Sequence, residues 1–484
     1  MLPCGRLREE HSATTDTGGV PDRPHTENHR KPTVVVLQFQ ADAVRPGRLT
    51  ITVKKTAVFC TLLVALTGSS FHCLLAVTWR IEANGTGDAP TIQAGIDSAT
   101  AGDTVLLSPG IFTGAGNRNI EFKGKAVTVE SSAGAEFTTV DCQGVGRGFI
   151  FTSGEGVFSV LSGVRVINGS HALFGGAVYC VNTSPRIENN IFSGNQAGFR
   201  GGAICCDTSL AIITGNVFDG NEASYGAAVS CVGSSLELTN NEFHSNSAGI
   251  SGGAIACHAS SPSIQQNRFN DNAALNDGGA IYCDQTSGPT VSTNVFLSNT
   301  AQGNGGAVGM LQSVCWVESN LFRGNQAVLG GAIYCDSFSS GPIQYNTFDE
   351  NGASSGMGAA ILCTNFSAPS VSNNIVVNSS DGNPIDTKND SVPTITCCCF
   401  FNNAGGDALP PGSIDGGGNF SQDPEFCGID GSGNYFLQSD SPCTPGNTPT
   451  PKKCGGIGAF PVSCATTATE EKTWGAIKSL YQSE

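Results

Sequence analysis

The sequence predicts an all-β chain that folds as a right-handed parallel β-helix, with three strands per turn and a short N-terminal capping helix. Three observations predict this fold: a repeat of about 26 residues, apolar stretches of period two within each repeat, and Asn and Gly between these stretches. One repeat would form one turn, and in-register copies would stack as parallel sheets with about 4.8 Å between turns. A leucine-rich repeat has a comparable period but requires an L-x-x-L-x-L motif, which this chain lacks.

The first half of the repeat reads P-x-I-x-x-N-x-F-x-x-N-x-A, so one Asn precedes each Phe by two residues and another follows by three. We expect the phenylalanines to stack inside the coil. We expect the asparagines at the bends, where Asn tolerates left-handed backbone and its amide can bond to the Asn of the next turn. The asparagines are therefore interpreted as structural rather than calcium-binding. The phenylalanine column comprises Phe192, Phe218, Phe243, Phe269, Phe296, Phe322 and Phe348.

The second half of the repeat reads G-G-A-I-x-C. Its Ile and Cys should point inward, because alternate residues of a strand share a face, and the paired glycines should relieve crowding at a corner. Stacked cysteines could form disulfides between turns or pack as free thiols. We favour free thiols, because Met310 interrupts the column; the additional Cys205 is expected to point outward. The column comprises Cys180, Cys206, Cys231, Cys257, Cys283, Cys335 and Cys363.

The beginning of the chain looks like a targeting region. Residues 53–76 have the form of a secretory signal peptide, with two lysines, an apolar stretch and a cleavage position after Ala76. Residues 1–52 are polar and lack periodicity, so we interpret them as a non-native extension from a misassigned start or as a disordered tail; a cytoplasmic tail before a signal anchor is the alternative. The 20 cysteines favour an oxidising compartment. We predict an extracellular or bacterial cell-surface location.

The remaining chain divides around the regular repeats at residues 157–403. Residues 77–156 are predicted to hold the N-terminal cap and the first turns of the β-helix. Within them Ile92, Ile96 and Ala99 have helical spacing, which predicts the capping helix. A parallel coil needs such a cap, because its terminal turn exposes unpaired strand edges.

The end of the chain has a different composition. Residues 404–464 are rich in Gly, Pro and Asp, and we predict a cysteine-containing C-terminal cap there. Residues 465–484 read as a linker and a short C-terminal helix. The cap is expected to carry disulfides, with three pairings possible among Cys427, Cys443, Cys454 and Cys464.

The combination of G-G-A-[IV] with F-x-x-N resembles the repeat of the polymorphic outer membrane proteins, and the predicted architecture resembles the pectate-lyase-like superfamily. The resemblance covers about residues 157–403. It implies a surface-exposed β-helical passenger associated with adhesion. Proteins of that family end in a membrane β-barrel, whereas this chain ends without alternating ten-residue strands, so we expect no integral membrane barrel.

The charge of the chain limits its ligands. It contains 40 Asp and Glu against 24 Lys and Arg, for a net charge of −16. Such a surface repels phosphate backbones, so we predict no nucleic-acid partner, and acidic polysaccharides are disfavoured as well. Between positions 157 and 385 the basic residues are Arg165, Arg186, Arg200, Arg268 and Arg323.

The motifs of known β-helix enzymes are missing. Polygalacturonase-like enzymes carry an Asp pair, Gly-His-Gly and Arg-Ile-Lys, none of which occurs in this chain. Asp284 and Asp336 occupy the same position two turns apart, roughly 10 Å by strand spacing, which exceeds the separation that glycosidases use. We therefore predict no catalytic, cofactor-binding or metal-binding residues and no cofactor.

A binding role has one pointer in the sequence. Tyr179, Tyr282 and Tyr334 occupy the outward position of G-G-A-[IV]-x-C, where exposed rings could stack against sugars. We predict a secreted or cell-surface protein with a structural, adhesive or glycan-binding role and a carbohydrate or cell-surface ligand. A carbohydrate-active enzyme, either a polysaccharide lyase or a glycoside hydrolase, is the alternative, and the oligomeric state is left open.

Overall fold

A computed structural model describes residues 76–427 and 435–464. Within these ranges the chain forms a parallel β-helix of about 12 turns with about 26 residues per turn, which confirms the predicted fold class. Three long sheets, named A, B and C here, follow the three predicted strands of each turn, and a shorter sheet D adds a brief fourth strand to eight turns. The expected extension at 1–52, nearly all of the signal peptide at 53–76 and the C-terminal helix at 465–484 lie outside the described residues.

The strands of the four sheets follow each other in chain order from turn to turn. Sheet A contains Thr78–Ile81, Thr104–Leu107, Thr128–Ser131, Val160–Ser162, Arg186–Glu188, Ile212–Thr214, Glu237–Thr239, Ser263–Gln265, Thr290–Ser292, Trp316–Glu318, Pro342–Gln344, Ser370–Ser372, Thr394–Thr396 and Ile414–Asp415. Sheet B contains Gly110–Phe112, Thr138–Asp141, Arg165–Ile167, Ile191–Ser193, Val217–Asp219, Glu242–His244, Arg268–Asn270, Val295–Leu297, Leu321–Arg323, Thr347–Asp349, Ile375–Val377, Cys399–Phe401 and Phe420–Ser421.

Sheet C contains Ile120–Glu121, Phe149–Phe151, Val178–Val181, Ile204–Asp207, Val229–Val232, Ile255–His258, Ile281–Asp284, Val308–Leu311, Ile333–Asp336, Ile361–Cys363 and Ile385–Thr387. Sheet D contains Ser170–His171, Gln196–Ala197, Glu222–Tyr225, Ser247–Ser251, Ala273–Ala274, Thr300–Ala301, Gln326–Ala327 and Gly352–Ala353.

The capping helix spans Ile92–Ser98, as its apolar spacing predicted. The Thr91 hydroxyl caps its N-terminus by accepting a hydrogen bond from the Ala94 amide at 3.2 Å. Ile92 and Ile96 are fully buried, so the helix packs its apolar face onto the first turn of the coil.

The interior columns are those that the repeat predicted. The seven phenylalanines stack with ring centroids 4.7–5.2 Å apart and interplanar angles of 3–15°. The cysteines of the second motif are buried and free, with Met310 in the column between Cys283 and Cys335. Because every turn adds the same inward residues, the buried apolar area grows with each turn.

The two asparagine columns form hydrogen-bonded ladders inside the coil. The backbone amide and the Nδ2 group of Asn241 both donate to Oδ1 of Asn267, at 2.9 and 3.1 Å. The expectation of left-handed backbone at these asparagines was wrong: that conformation belongs to the residue before each of them, such as Asn240 (φ 57°) and Gln266 (φ 56°). The preceding residue turns the chain, and the turn directs the Asn side chain inward.

A third ladder was not predicted. At the corner between sheets C and A, the backbone amide of Ser209 donates to Oγ of Ser234, and the amide of Ser234 donates to Oγ of Ser260, both at 3.0 Å. These serines recur at the spacing of the repeat, but Ser is common in loops, so their recurrence alone did not predict a ladder. The ladder consists of two runs, the first formed by Ser209, Ser234, Ser260 and Ser287 and the second by Ser313, Ser339, Ser367 and Ser391.

The paired glycines stand at a crowded corner, as expected. A Cβ atom on Gly253 would lie 1.9 Å from the carbonyl oxygen of Gly279 on the next turn. The preceding Gly252 has a φ of +72°, which favours glycine. The corner therefore excludes most side chains for steric reasons alone.

The C-terminal segment packs along the outer face of sheet B. Its disulfides are Cys397–Cys454 and Cys427–Cys464. One of the expected bonds, Cys427–Cys464, occurs, but none of the three complete pairings does, because Cys397 of the last turns pairs with Cys454 in place of Cys443, which is buried and free. Nothing in the sequence indicated that Cys397, which lies just before the strand Cys399–Phe401, would face the C-terminal cap. The Tyr435 hydroxyl donates to the Asp349 carboxylate at 2.5 Å, which fastens the segment to sheet B.

Candidate functional site

The asparagine ladders inside the coil use their own hydrogen-bonding groups. The side chain of Asn267 donates to Leu238 O and Asn294 Oδ1 and accepts two hydrogen bonds from Asn241, so the ladder satisfies itself. This arrangement agrees with the structural interpretation of the asparagines. A site for a partner must therefore lie on the outer surface.

The expected exposure of the three tyrosines was wrong for Tyr282 and Tyr334 and holds only in part for Tyr179. Tyr282 and Tyr334 are only 8% and 9% exposed, and Tyr179 is half-buried. The loop before each sheet C strand folds back over the outward position, so that a Cβ on Gly278 would lie 3.1 Å from Tyr282 Cα. The same cover buries Cys205, which was expected to point outward and is 1% exposed.

The two aspartates weighed as a catalytic pair are engaged separately. Asp284 Oδ1 lies 2.8 Å from Nδ1 of His258. Asp336 Oδ1 accepts a hydrogen bond from Thr364 Oγ1 at 3.0 Å, and Leu311 of the intervening turn pairs with Asp336 in sheet C. Neither carboxylate is directed at the other, and the absence of catalytic residues stays a prediction.

An exposed apolar cluster lies at the corner between sheets C and A in the C-terminal half of the coil. We call it the aromatic corner and define it by Val314, Trp316, Phe338 and Phe366. Their side chains are 49%, 50%, 68% and 53% exposed, respectively. The rings of Phe338 and Phe366 stack with centroids 5.3 Å apart and an interplanar angle of 11°. Large exposed apolar side chains that group on a protein surface make a candidate interaction site.

The aromatic corner spans three consecutive turns. Val314 forms a parallel bridge with Ser340, and the amide of Ala368 donates to Ser339 O at 3.3 Å. Trp316 opens the sheet A strand of the first of these turns, while Phe338 and Phe366 belong to the corner loops of the next two. The turns therefore stack the aromatic side chains on one edge of the rod.

Both phenylalanines have an unusual backbone conformation. The φ of Phe338 and of Phe366 is 65°, in the left-handed region that bulky residues avoid. Each follows another left-handed residue, Ser337 or Asn365, whereas the turn containing Gln312 has a single left-handed residue at this corner. One inserted residue therefore pushes the ring outward.

The sheet A strands beside the aromatic corner present mostly uncharged polar side chains. The outward positions of the neighbouring sheet A strands are held by Gln344, Ser370 and Ser372. The carboxylate of Glu318 accepts a hydrogen bond from Gln344 Nε2 at 2.9 Å. Flat apolar rings bordered by amide and hydroxyl groups suit a neutral ligand that has both apolar and hydroxylated faces.

The sequence contains a signal for the aromatic corner that lies outside the repeat motif. Phe338 and Phe366 fall outside the interior phenylalanine column, three residues after Cys335 and Cys363. They occupy the additional residue of turns that are longer at this corner. Aromatic residues that recur at the same position outside the repeat motif could therefore have indicated the aromatic corner.

Two classes of site were searched for in the described part of the chain. No helix there is long and apolar enough to cross a membrane. No group of three or more His, Cys, Asp or Glu side chains in residues 76–427 and 435–464 could hold a metal ion.

Two family models match parts of the chain. Residues 96–307 match the model described as periplasmic copper-binding protein (NosD). Residues 321–336, which contain one F-x-x-N and one G-G-A-I-x-C motif, match the Chlamydia polymorphic membrane protein repeat. None of the curated proteins is similar enough to this chain to count as a match.

Solved structures with similarity to the chain include carbohydrate-modifying enzymes. The PL6 family alginate lyase AlyGC is 14% identical, with a TM-score of 0.42 over 75% of this chain and 55% of the lyase. The PL6 family polysaccharide lyase Pedsa3628 from Pseudopedobacter saltans is 12% identical, with a TM-score of 0.32 over 71% of this chain and 92% of that one. The A-module of the Azotobacter vinelandii mannuronan C-5 epimerase AlgE6 is 13% identical, with a TM-score of 0.26 over 69% and 95%. The stacked turns show that this protein is a parallel β-helix, and one of its repeats, at residues 321–336, is similar to the Chlamydia polymorphic membrane protein repeat.

Proposed function

We propose that this protein is an exported, surface-associated β-helix that binds neutral glycans through its aromatic corner. The observation that carries the proposal is the pair of exposed, stacked phenylalanines at 338 and 366, both held in left-handed backbone. An adhesive or structural role at the cell surface would follow from such binding.

Neutral sugars fit the chemistry of this surface. The C–H face of a pyranose ring packs on an aromatic face, and its hydroxyl groups can bond to the side chains of Gln344 and Ser370 beside it. A neutral sugar also avoids the repulsion that the net charge of −16 imposes on anions. Phe338, Phe366 and Trp316 on adjacent turns would contact successive sugar units of a chain.

Export is supported by the chemistry of the cysteines. Two disulfides hold the C-terminal segment, and disulfides of this kind persist in oxidising compartments. The resemblance of the repeat to that of surface proteins points to the same location. The signal peptide at 53–76 and the division into leader, coil and C-terminal cap stay predictions.

Calorimetric titration with neutral oligosaccharides of cellulose, xylan and mannan types tests the proposal. Phe366→Ala should weaken binding of the active oligosaccharide by about tenfold, because loss of one aromatic stacking contact costs about 1 kcal/mol or more. Phe158→Ala, which removes a 76% exposed phenylalanine near the other end of the rod, is the matched control and should bind like the unchanged protein. Absence of binding to every neutral oligosaccharide, or an equal effect of both substitutions, would reject the proposal.

A carbohydrate-active enzyme is the second candidate. The observation in its favour is the His258–Asp284 pair on the outer side of sheet C, because a carboxylate-bound imidazole can act as a general base. Depolymerisation of a neutral or acidic polysaccharide that is abolished by Asp284→Asn, but survives Phe366→Ala, would place this candidate first.

A further inference from the structure

Arg147 and Arg200, in the N-terminal half of the coil, are among the arginines that lack acidic partners in the described part of the chain. In a chain with 40 acidic residues, Arg165, Arg186 and Arg323 form ion pairs with carboxylates, as expected. Among the described residues, no carboxylate lies within ion-pair distance of Arg147 or Arg200. The two positive charges are therefore locally uncompensated in a protein that is acidic on average.

Both arginines are held against aromatic rings. The guanidinium carbon of Arg147 lies 4.8 Å from the ring centroid of Tyr179, and that of Arg200 lies 5.0 and 5.8 Å from the rings of Phe199 and Tyr225. Phe174 joins the two groups, because its ring centroid lies 6.1 Å from that of Tyr179 and 6.0 Å from that of Phe199. We call this set the basic–aromatic cluster: Arg147, Phe174, Tyr179, Phe199, Arg200 and Tyr225.

The backbone of Phe174 links the two arginines, because its carbonyl oxygen accepts hydrogen bonds from Arg147 and it forms a parallel bridge with Arg200. Both act on the buried Cys205 thiol: burial raises its pKa, and the positive charges of Arg200 and Arg147 each oppose that rise. Arg147 is also close enough to His171 to help burial lower the pKa of that imidazole. Arg147, Arg200 and His171 therefore surround a single patch on consecutive turns.

Hydrogen-bond donors in this patch are available. Nε and Nη2 of Arg147 donate to the carbonyl oxygens of Phe174 and Gly175, and these bonds hold the guanidinium group in place. Its Nη1 group makes none of these bonds and can donate to a ligand. Nε of Arg200 is buried and has no acceptor in the described part of the chain, so a ligand would have to bind this side chain through its terminal Nη groups. Nδ1 of His171 accepts from the backbone amides of Leu173 and Phe174 at 3.1 and 3.0 Å, so the proton of the neutral ring is on Nε2.

We propose that the basic–aromatic cluster binds the carboxylate of an acidic sugar. A guanidinium group binds a carboxylate with two parallel hydrogen bonds, and the neighbouring Phe199, 38% exposed, offers a ring on which the sugar can stack. Inorganic anions would gain the charge contact without the stacking. A short uronate oligomer fits better than a long polyanion, because the net charge of −16 repels charges that extend beyond about 8–10 Å from the cluster.

This inference adds a second, independent binding site to the proposed function. The basic–aromatic cluster occupies turns between residues 147 and 225, whereas the aromatic corner lies between residues 314 and 366. The net negative charge of the sequence predicted that acidic ligands would be repelled. The basic–aromatic cluster is a local exception, because its two arginines have no described carboxylate within ion-pair distance.

Titration of the full-length protein with tetragalacturonate tests the proposal. Arg200→Leu should weaken binding by about tenfold or more, and Arg200→Lys by less, because lysine keeps the charge but loses the bidentate geometry. Arg268→Leu removes an arginine on the outward face of sheet B and is the matched control, which should leave binding unchanged. The methyl-esterified oligomer should not bind, and excess sulfate should not displace tetragalacturonate at constant ionic strength.

The outcomes separate this proposal from the previous one. Neutral-oligosaccharide binding through the aromatic corner should be the same in Arg200→Leu as in the unchanged protein, which also shows that the variant is folded. Phe199→Ala keeps both arginines and should weaken tetragalacturonate binding by about fivefold through loss of stacking. No tetragalacturonate binding, equal losses in Arg200→Leu and Arg268→Leu, or full displacement by sulfate would each overturn the proposal.

Discussion

Asn241 and Asn267 lie one above the other inside the coil, with Nδ2 of the first 3.1 Å from Oδ1 of the second. Asn267 passes the contact on, because its own Nδ2 donates to Asn294 Oδ1 at 3.1 Å and to Leu238 O at 2.8 Å. Each such side chain replaces the water that the buried bend would otherwise need. The ladders therefore make the corners of the coil compatible with a dry interior.

Replacement of a ladder asparagine should be costly. Asn267→Ala leaves the buried Leu238 carbonyl and both nitrogens of Asn241 short of a partner, so we expect a loss of roughly 3 kcal/mol in the free energy of unfolding. Chemical denaturation measures this loss. Asn270→Ala, at an outward position on the neighbouring strand, should change stability by less than about 0.5 kcal/mol. Equal effects of the two substitutions would mean that the ladder contributes little.

The cysteines should fall into two classes in an alkylation experiment. Burial raises the pKa of the Cys180 thiol, with a further rise from the neighbouring Cys206, and it raises that of Cys142 to about 12. Because the thiolate is the reactive form, these cysteines should resist alkylation in the folded protein and react fully in denaturant without reductant. The pairs Cys397–Cys454 and Cys427–Cys464 should react only after reduction. A column cysteine that needs reductant would reveal a disulfide between turns.

Two phenylalanines ten residues apart should respond very differently to truncation. Phe348→Ala removes a fully buried ring from the interior stack and should cost about 3–5 kcal/mol of stability. Phe338→Ala removes a ring that is 68% exposed and should cost less than about 1 kcal/mol. Thermal unfolding of both variants gives the comparison. A large loss in Phe338→Ala would show that this ring serves stability rather than binding.

Asp277 should make stability depend on pH in an identifiable direction. Burial raises its pKa above the ordinary value of 3.8, and the hydrogen bonds from Asn304 only partly offset that rise. The folded state therefore holds the proton to higher pH than the unfolded chain, so stability falls as pH rises from about 3.8 through the folded-state pKa. Asp277→Asn should raise the melting temperature at pH 7, and the gain should shrink at acidic pH. The charge-matched control is Asp219→Asn at an exposed position, which should show a smaller gain.

The sequence predicted the interior far better than the surface. The Phe, Cys and Asn columns recur at a fixed spacing because each contacts its own copy on the next turn, and such contacts are visible in a self-alignment. Whether Tyr282 is exposed depends on a loop that folds back from an earlier part of the same turn, and Cys397 meets Cys454 across a sequence separation of 57 residues. Neither relationship has a period, so neither could be read from the repeat.

The candidate sites follow the same division. Phe338 and Phe366 stand out only after the interior phenylalanines have been assigned, because they then fall outside the interior column. Arg147 and Arg200 come from different turns. Whether a carboxylate lies within ion-pair distance of them depends on which residues are close in space, and the sequence does not show this. The outward positions carry no structural constraint that would have marked them in advance.

The inserted residue at the corner of sheets C and A has a consequence for how this protein can evolve. The turns that contain Phe338 and Phe366 have one more residue there than the turn that contains Gln312, yet the Ser ladder continues through Ser313, Ser339 and Ser367 without a break. The extra residue is absorbed in the loop and does not disturb the next turn. A single inserted codon at this corner can therefore create a protruding side chain, and selection can act on its chemistry while the rest of the gene continues to encode the same rod.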